Sequence, residues 1–214
     1  MTARPNATRR PGTPPKRKFP IIPIAIGVAA AALIATVVFT FEGEGVEDAY
    51  GTPVITGNAL PLYSSGVADP TTGQPAPVVT GADFESNPVA IADDGRAKIV
   101  VFLAHWCPFC QAEVPVMQRW LDAGSLPDDV DVYAVATSID RFRPNYPASS
   151  WLEREGWSES IIVDDELNSI SRTFGLNAFP FWVFISADGT VFGRTSGELN
   201  AAALDEIAGA LSGG

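Results

Sequence analysis

Seven residues, Lys98-Ile99-Val100-Val101-Phe102-Leu103-Ala104, run almost wholly apolar into His105-Trp106-Cys107-Pro108-Phe109-Cys110. A run of this length, opened by Gly95 and closed by a cysteine pair, reads as a central strand buried on both faces. Beyond it, apolar residues recur at Cys110, Val114, Met117 and Leu121, which is one face of a helix over residues 109–123. The only two cysteines of the chain therefore sit where a buried strand hands over to a helix. That junction restricts the chain to α/β architectures.

The rest of the pattern extends the same plan. Residues 130–136 read as the next strand. Residues 150–155 read as a short helix, with Ser150 and Glu153 as a capping box and Gly156 as its stop. Residues 161–163 suggest a short extended piece, and residues 165–174 a helix burying Leu167, Ile170 and Phe174 before Gly175. Residues 181–186 and 190–194 are two strands joined at Ala187-Asp188-Gly189, a strong hairpin signal. Asn200 is placed to cap a last helix burying Leu204, Ile207 and Leu211. Parallel strands followed by a hairpin and a terminal helix imply a mixed central sheet flanked by helices on both faces.

Charge divides the chain unevenly. Six of its fourteen basic residues, Arg4, Arg9, Arg10, Lys16, Arg17 and Lys18, precede the first acidic one, Glu42. From Glu42 onward eight basic residues face twenty-five acidic ones, a net charge of −17, which repels nucleic acid. Residues 1–18 read as a basic cytoplasmic tail. Residues 19–41 carry no charge and are long enough for a single transmembrane helix; a cleaved signal peptide is the competing reading, and its apolar core is usually shorter. The basic tail orients this anchor with its N-terminus in the cytoplasm and everything after it outside. Residues 42–75, rich in Gly, Pro, Thr and Ser, read as an extracytoplasmic linker with at most one short strand. Residues 76–214 form the folded domain.

The chemistry lies in Cys107 and Cys110. A single histidine and two crowded cysteines do not furnish a structural zinc site, and Gln111 stands where covalent haem attachment needs histidine, so no metal or other cofactor is expected. Cys107 at a helix N-terminus meets free backbone N–H groups and the positive end of the helix dipole, which favour a thiolate. Pro108 suits the first helical position. Cys110, one turn on, can close back on Cys107. A purely structural disulfide around so short a loop would remove little chain entropy, which leaves redox activity as the stronger reading. His105 is either a cation supporting the thiolate or a solvent-facing residue at the strand end. Trp106 either lines a substrate groove or packs.

The stretch from His105 to Pro115 contains Trp106-Cys107-Pro108-Phe109-Cys110-Gln111-Ala112-Glu113-Val114-Pro115. Taken with Gly175-Leu176-Asn177-Ala178-Phe179-Pro180, Asp188-Gly189 and Ala76-Pro77, it resembles the thioredoxin superfamily, more narrowly the TlpA/ResA-type membrane-tethered proteins. The resemblance covers about residues 75–212 and implies a thioredoxin-like fold. It implies a cis-Pro180 facing the cysteines, where an ordinary strand-entry proline is the alternative, and a Phe179 backbone that pairs with substrate. It also implies that Glu113 is a buried glutamate relaying a proton to the pair rather than a solvated helix residue, since Val101 occupies the place of the buried strand aspartate of classical thioredoxins. Pro115 is expected to kink the helix. Cys107, Cys110 and Glu113 are thus the expected catalytic residues, and Trp106, Pro108, Phe109, Phe179 and Pro180 the expected substrate-facing ones.

Three functions fit this reading. One is a reductant of exported proteins, fed by a membrane thiol donor and acting for example on apocytochrome c. Another is an oxidant that installs disulfides and passes electrons to a membrane acceptor. The two differ in potential and partner, and the Pro-Phe dipeptide between the cysteines leaves the direction open. The third is a non-catalytic module holding a peptide in the groove. Copper delivery and peroxidase chemistry lack their ligand and sequence patterns.

Overall fold

The computed structural model describes residues 50–213. The anchor expected over residues 19–41 and the basic tail lie outside the described residues, among which no helix is long and apolar enough to cross a membrane.

Strand β4 (Ala97–Leu103) is buried along its whole length and forms the middle of a five-stranded sheet. Its partners are β5 (Val130–Ala136) and β7 (Phe181–Ile185), and the sheet is completed by β6 (Ser160–Val163) and β8 (Val191–Ser196) in the order β6-β5-β4-β7-β8. β4, β5 and β6 run parallel, whereas β7 and β8 are antiparallel to their neighbours, so the mixed sheet expected from the hairpin is present. Strand alternation splits β4 between two cores. Ile99, Val101 and Leu103 join Val114, Met117 and Trp120 of helix α1 (Pro108–Asp122), Trp151 and Leu152 of helix α2 (Ala148–Arg154) and Leu204, Ala208 and Leu211 of helix α4 (Ala201–Ser212). Val100 and Phe102 join Ile170 of helix α3 (Ser169–Thr173) and its C-cap Phe174, together with Phe181 and Val183. Each buried Val, Leu, Ile, Phe or Met among them contributes about 1.5–3 kcal/mol relative to exposure.

The second face differs from expectation. Helix α3 covers only part of it, and the rest is closed by a separate antiparallel sheet of β1 (Val54–Thr56), β2 (Val78–Ala82) and β3 (Pro88–Ile91), whose Val79 and Ile91 enter the second core. The short strand expected in the linker is β1, but the residues around it are packed rather than loose. Leu60 and Tyr63 donate backbone hydrogen bonds to Thr173 and Gly175, and Gly51 to Asp164. Arg194, buried on β8, grips Asp69 with two hydrogen bonds of 2.8 Å and donates from Nη1 to the Pro61 and Phe174 carbonyls. Gly175 has a positive φ of 77° and sits against that carbonyl of Pro61, which a side chain there would strike. None of these partners is close in sequence, so composition alone read the segment as a tether.

Two helix starts also shift. Helix α2 begins at Ala148 with Pro147 as its N-cap, which places Ser150 inside the helix and leaves no capping box. Helix α3 begins only at Ser169, because buried Asp164 accepts from the Ile170 and Ser171 N–H groups and fixes the chain there; Leu167 is consequently exposed rather than core. The expected stops hold. Gly156 and Gly175 both take positive φ, and the Trp157→Leu152 and Leu176→Ser171 hydrogen bonds close the ends of α2 and α3. Asn200 accepts from Ala203 N–H at 3.0 Å as the cap of α4. Helix α1 continues through Pro115.

Candidate active site

After β4, the chain turns at His105-Trp106, and the Cys107 N–H donates to the Ala104 carbonyl at 2.9 Å. Cys107 is the N-cap of α1, with extended backbone angles, and Pro108 follows inside the first turn, as the sequence required. Cys107 retains 6 % exposure, while Pro108 and Phe109 stand exposed beside it. Cys110 has no exposure. Both are free thiols. Burial pushes the Cys110 thiol well above its ordinary range; a backbone hydrogen bond at Ala104 opposes this, and neighbouring Cys107 and Glu113 add to it. Cys107 thus keeps a small exposure beside two exposed residues, while Cys110 is fully enclosed, where burial disfavours its thiolate.

Glu113 lies on the same helix, 1 % exposed. Its Oε2 accepts from the Leu199 N–H at 2.8 Å, and its Oε1 is buried with no hydrogen-bond partner. Burial raises its carboxyl to about 7, against the Leu199 hydrogen bond and with some help from the charge of Glu198. The solvated alternative for Glu113 therefore does not hold. A carboxyl that titrates near neutrality, one turn from a thiol that resists ionisation, is matched to proton transfer.

The Phe179-Pro180 bond is cis, and the Pro180 carbonyl accepts from Gly197 N–H. The Phe179 and Trp106 rings meet edge to face at 5.9 Å and both pack on the core that contains the two cysteines. Trp106 is half-buried. Its indole N–H donates to the Ser138 carbonyl at 2.7 Å, so it packs at one edge while its ring faces Phe179.

His105 corrects both readings of it. It is 1 % exposed, not solvent-facing. Its Nε2 accepts from the Asp140 N–H at 3.1 Å, and its Nδ1 lies 2.7 Å from the Pro144 carbonyl, which assigns the proton to Nδ1 and leaves the ring neutral in this arrangement. Tyr146 meets it edge-on. His105 therefore holds the loop of residues 138–147 rather than serving the thiolate as a cation. Sequence reasoning passed over that loop, as it did Glu198, Leu199 and Arg143, whose guanidinium lies 4.3 Å over the Trp106 ring. The one signal was Arg141-Phe142-Arg143, two positive charges close together in an acidic domain.

Comparison with known proteins gives the family of the chain. The Redoxin family model matches residues 71–211. The thiol:disulfide interchange protein DsbE of Pasteurella multocida is 27 % identical over 137 residues, spanning 63 % of this chain and 71 % of that protein. Among solved structures, a thioredoxin-family thiol:disulfide interchange protein of Chlorobium tepidum aligns with a TM-score of 0.55 at 24 % identity, over 68 % of this chain and 99 % of the other. StoA of Bacillus subtilis aligns with a TM-score of 0.52 at 22 % identity, over 62 % and 96 %. At these identities the structural likenesses speak to the fold. With the family match spanning most of the chain and the dithiol at the head of α1, the chain belongs to the Redoxin family of the thioredoxin superfamily and is a thiol–disulfide oxidoreductase.

Proposed function

We propose that the protein is an extracytoplasmic, membrane-anchored reductant of disulfides in exported proteins, in the manner of the TlpA/ResA-type proteins it resembles. The observation that carries the chemistry is the asymmetry of the pair: Cys107 at the helix N-cap keeps a small exposure beside exposed Pro108 and Phe109, whereas Cys110 has none and lies one turn from Glu113, whose carboxyl burial raises to about 7.

In this reading Cys107, as thiolate, attacks one sulfur of a substrate disulfide. The substrate's S–S bond breaks, its other sulfur leaves as a thiolate, and a mixed disulfide forms through Cys107. Glu113 as carboxylate takes the proton of Cys110, whose sulfur then attacks Cys107. The second substrate sulfur is released and takes up a proton, so the substrate gains two electrons and Cys107-Cys110 becomes the disulfide. Trp106, Pro108, Phe109 and the Phe179 backbone before Pro180 border the substrate. A membrane thiol donor, by the same exchange in reverse, restores the dithiol. Residues 19–41 supply the anchor and residues 1–18 the cytoplasmic tail; an apocytochrome c awaiting haem is one fitting substrate.

Equilibration with glutathione tests the direction. A potential near the thioredoxin value of about −270 mV supports reduction, and one near about −120 mV assigns the protein to disulfide formation instead. Trapping tests the exchange: Cys110→Ala should accumulate mixed disulfides through Cys107, and failure to capture any disulfide-bearing protein overturns the reading.

A further inference from the structure

We infer that the loop of residues 138–147 is a basic docking surface that selects substrate proteins whose reactive disulfide lies in an acidic segment. This deepens the thiol-exchange reading and rests on it.

The loop departs from the charge of the domain around it. Of the eight basic residues after Glu42, Arg96, Lys98 and Arg194 are held in ion pairs with Asp131, Asp94 and Asp69. Arg141 and Arg143 stand exposed two positions apart, Arg143 in an open ion pair within the loop, and Arg154 from α2 reaches the same loop, its Nη2 donating to Asn145 Oδ1 at 3.1 Å. The loop's one carboxylate, Asp140, lies 3.6 Å from Arg143 Nε and accepts from the Phe142 N–H at 2.9 Å. Two arginines against one aspartate leave the loop itself positive. The carboxylates of Asp83, Glu85, Glu153 and Glu159 line a separate cavity, which Arg141 and Arg143 do not border.

Position joins this charge to the chemistry. Arg143 lies over the ring of Trp106, the residue before Cys107, and Trp106 in turn meets Phe179. Arg141 stacks 4.7 Å over Phe142, which is 83 % exposed and offers an apolar contact between the two charges. The scaffold beneath is fixed by the two hydrogen bonds of His105, by Trp106 Nε1 on the Ser138 carbonyl, and by the Tyr50 hydroxyl on the Ile139 carbonyl at 3.2 Å. Guanidinium groups on a preorganised loop bind carboxylates at smaller entropic cost, and positive charge beside the reacting sulfur steers an acidic chain toward it. The occupant is thus an acidic, extended segment of an exported protein, its carboxylates on Arg141 and Arg143 and its disulfide at Cys107.

The test uses the reduced full-length protein in non-ionic detergent. Its substrates are two disulfide-linked peptides that differ only in flanking residues, all Glu or all Lys, with uncharged hydroxyethyl disulfide as reference. In single-turnover reactions at low ionic strength the second-order rate constant for the acidic peptide should exceed that for the basic one by about tenfold or more, and high salt should erase the preference. In a double Arg141→Gln, Arg143→Gln variant, the acidic-to-basic ratio should fall toward one when each rate is normalised to hydroxyethyl disulfide. Equal rates for the two peptides, or a ratio that survives the double substitution, would overturn the docking surface while leaving the exchange reading intact. Arginine-dependent binding to phosphatidylglycerol vesicles without any peptide preference would also overturn it, assigning the loop to lipid. No reaction with any of the three disulfides would remove the exchange reading and the inference together.

Discussion

The two flanks of the cysteine pair are built on opposite rules. On one side His105 and Trp106 bind the loop of residues 138–147 through hydrogen bonds at both imidazole nitrogens and the indole N–H, and the arginines of that loop point to the surface. On the other side Glu113 is enclosed, with one oxygen held by Leu199 and the other left without a partner. A satisfied polar network fixes geometry, whereas an under-satisfied buried carboxyl is poised to change its protonation. The contrast assigns shape and partner recognition to the first flank and proton movement to the second.

The largest effect should come at the sulfur both flanks serve. Cys107→Ser should abolish exchange with any disulfide, read as loss of turnover. Next, Glu113→Gln should slow the closing step, resolution of the mixed disulfide, on the order of a hundredfold in single-turnover kinetics, while capture by Cys107 proceeds. The wild-type resolution rate should rise as pH passes through about 7, where Glu113 becomes the carboxylate base, and the Gln variant should lack that inflection. An unchanged pH profile would move the proton transfer elsewhere and dissolve the contrast between the flanks.

Stability should report the same group with the opposite sign. The folded-state pKa of Glu113, about 7, lies above its ordinary 4.5, so the native state holds the proton more tightly than the unfolded chain. Its contribution is fully present below pH 4.5 and is lost as pH rises through 7, amounting to at most about 3 kcal/mol. Denaturant titrations across that window should show this decline in the wild type and not in Glu113→Gln.

Smaller effects are expected on the first flank. His105→Ala leaves the Asp140 N–H and the Pro144 carbonyl without their partner, which should cost about 2 kcal/mol and speed amide exchange in residues 139–145 with little change in the pH profile of resolution. Trp106→Phe removes the donor to Ser138 while keeping an aromatic ring against Phe179 and should cost about 1 kcal/mol by thermal unfolding. If His105→Ala instead shifted the pH profile as Glu113→Gln does, the division of labour between the flanks would fail.

Much of the fold was legible because its signals are local. The buried run of β4, the period of α1, the Asp-Gly hairpin and the glycine stops of α2 and α3 each depend on residues within a few positions of one another. The capping box at Ser150 and the core assignment of Leu167 misled for the same reason. Helix α2 starts two residues before Ser150, behind Pro147 as its N-cap, and buried Asp164 sets the start of α3 by accepting from the Ile170 and Ser171 N–H groups. The segment from Tyr50 to Gln74 was the larger misreading, since a Gly- and Pro-rich stretch looks the same whether it is loose or clasped by Arg194 and Asp69.

By itself the sequence determined that two cysteines would meet at the junction of a buried strand and a helix, because a seven-residue apolar run, a spacing of two and a proline at the helix start permit little else. Only the tertiary structure decided the environments of Glu113 and His105. One is enclosed against residues 198–199 and the other against residues 138–147, both far away in the chain, and burial and hydrogen bonding, which set the protonation of a side chain, are properties of what surrounds it in space.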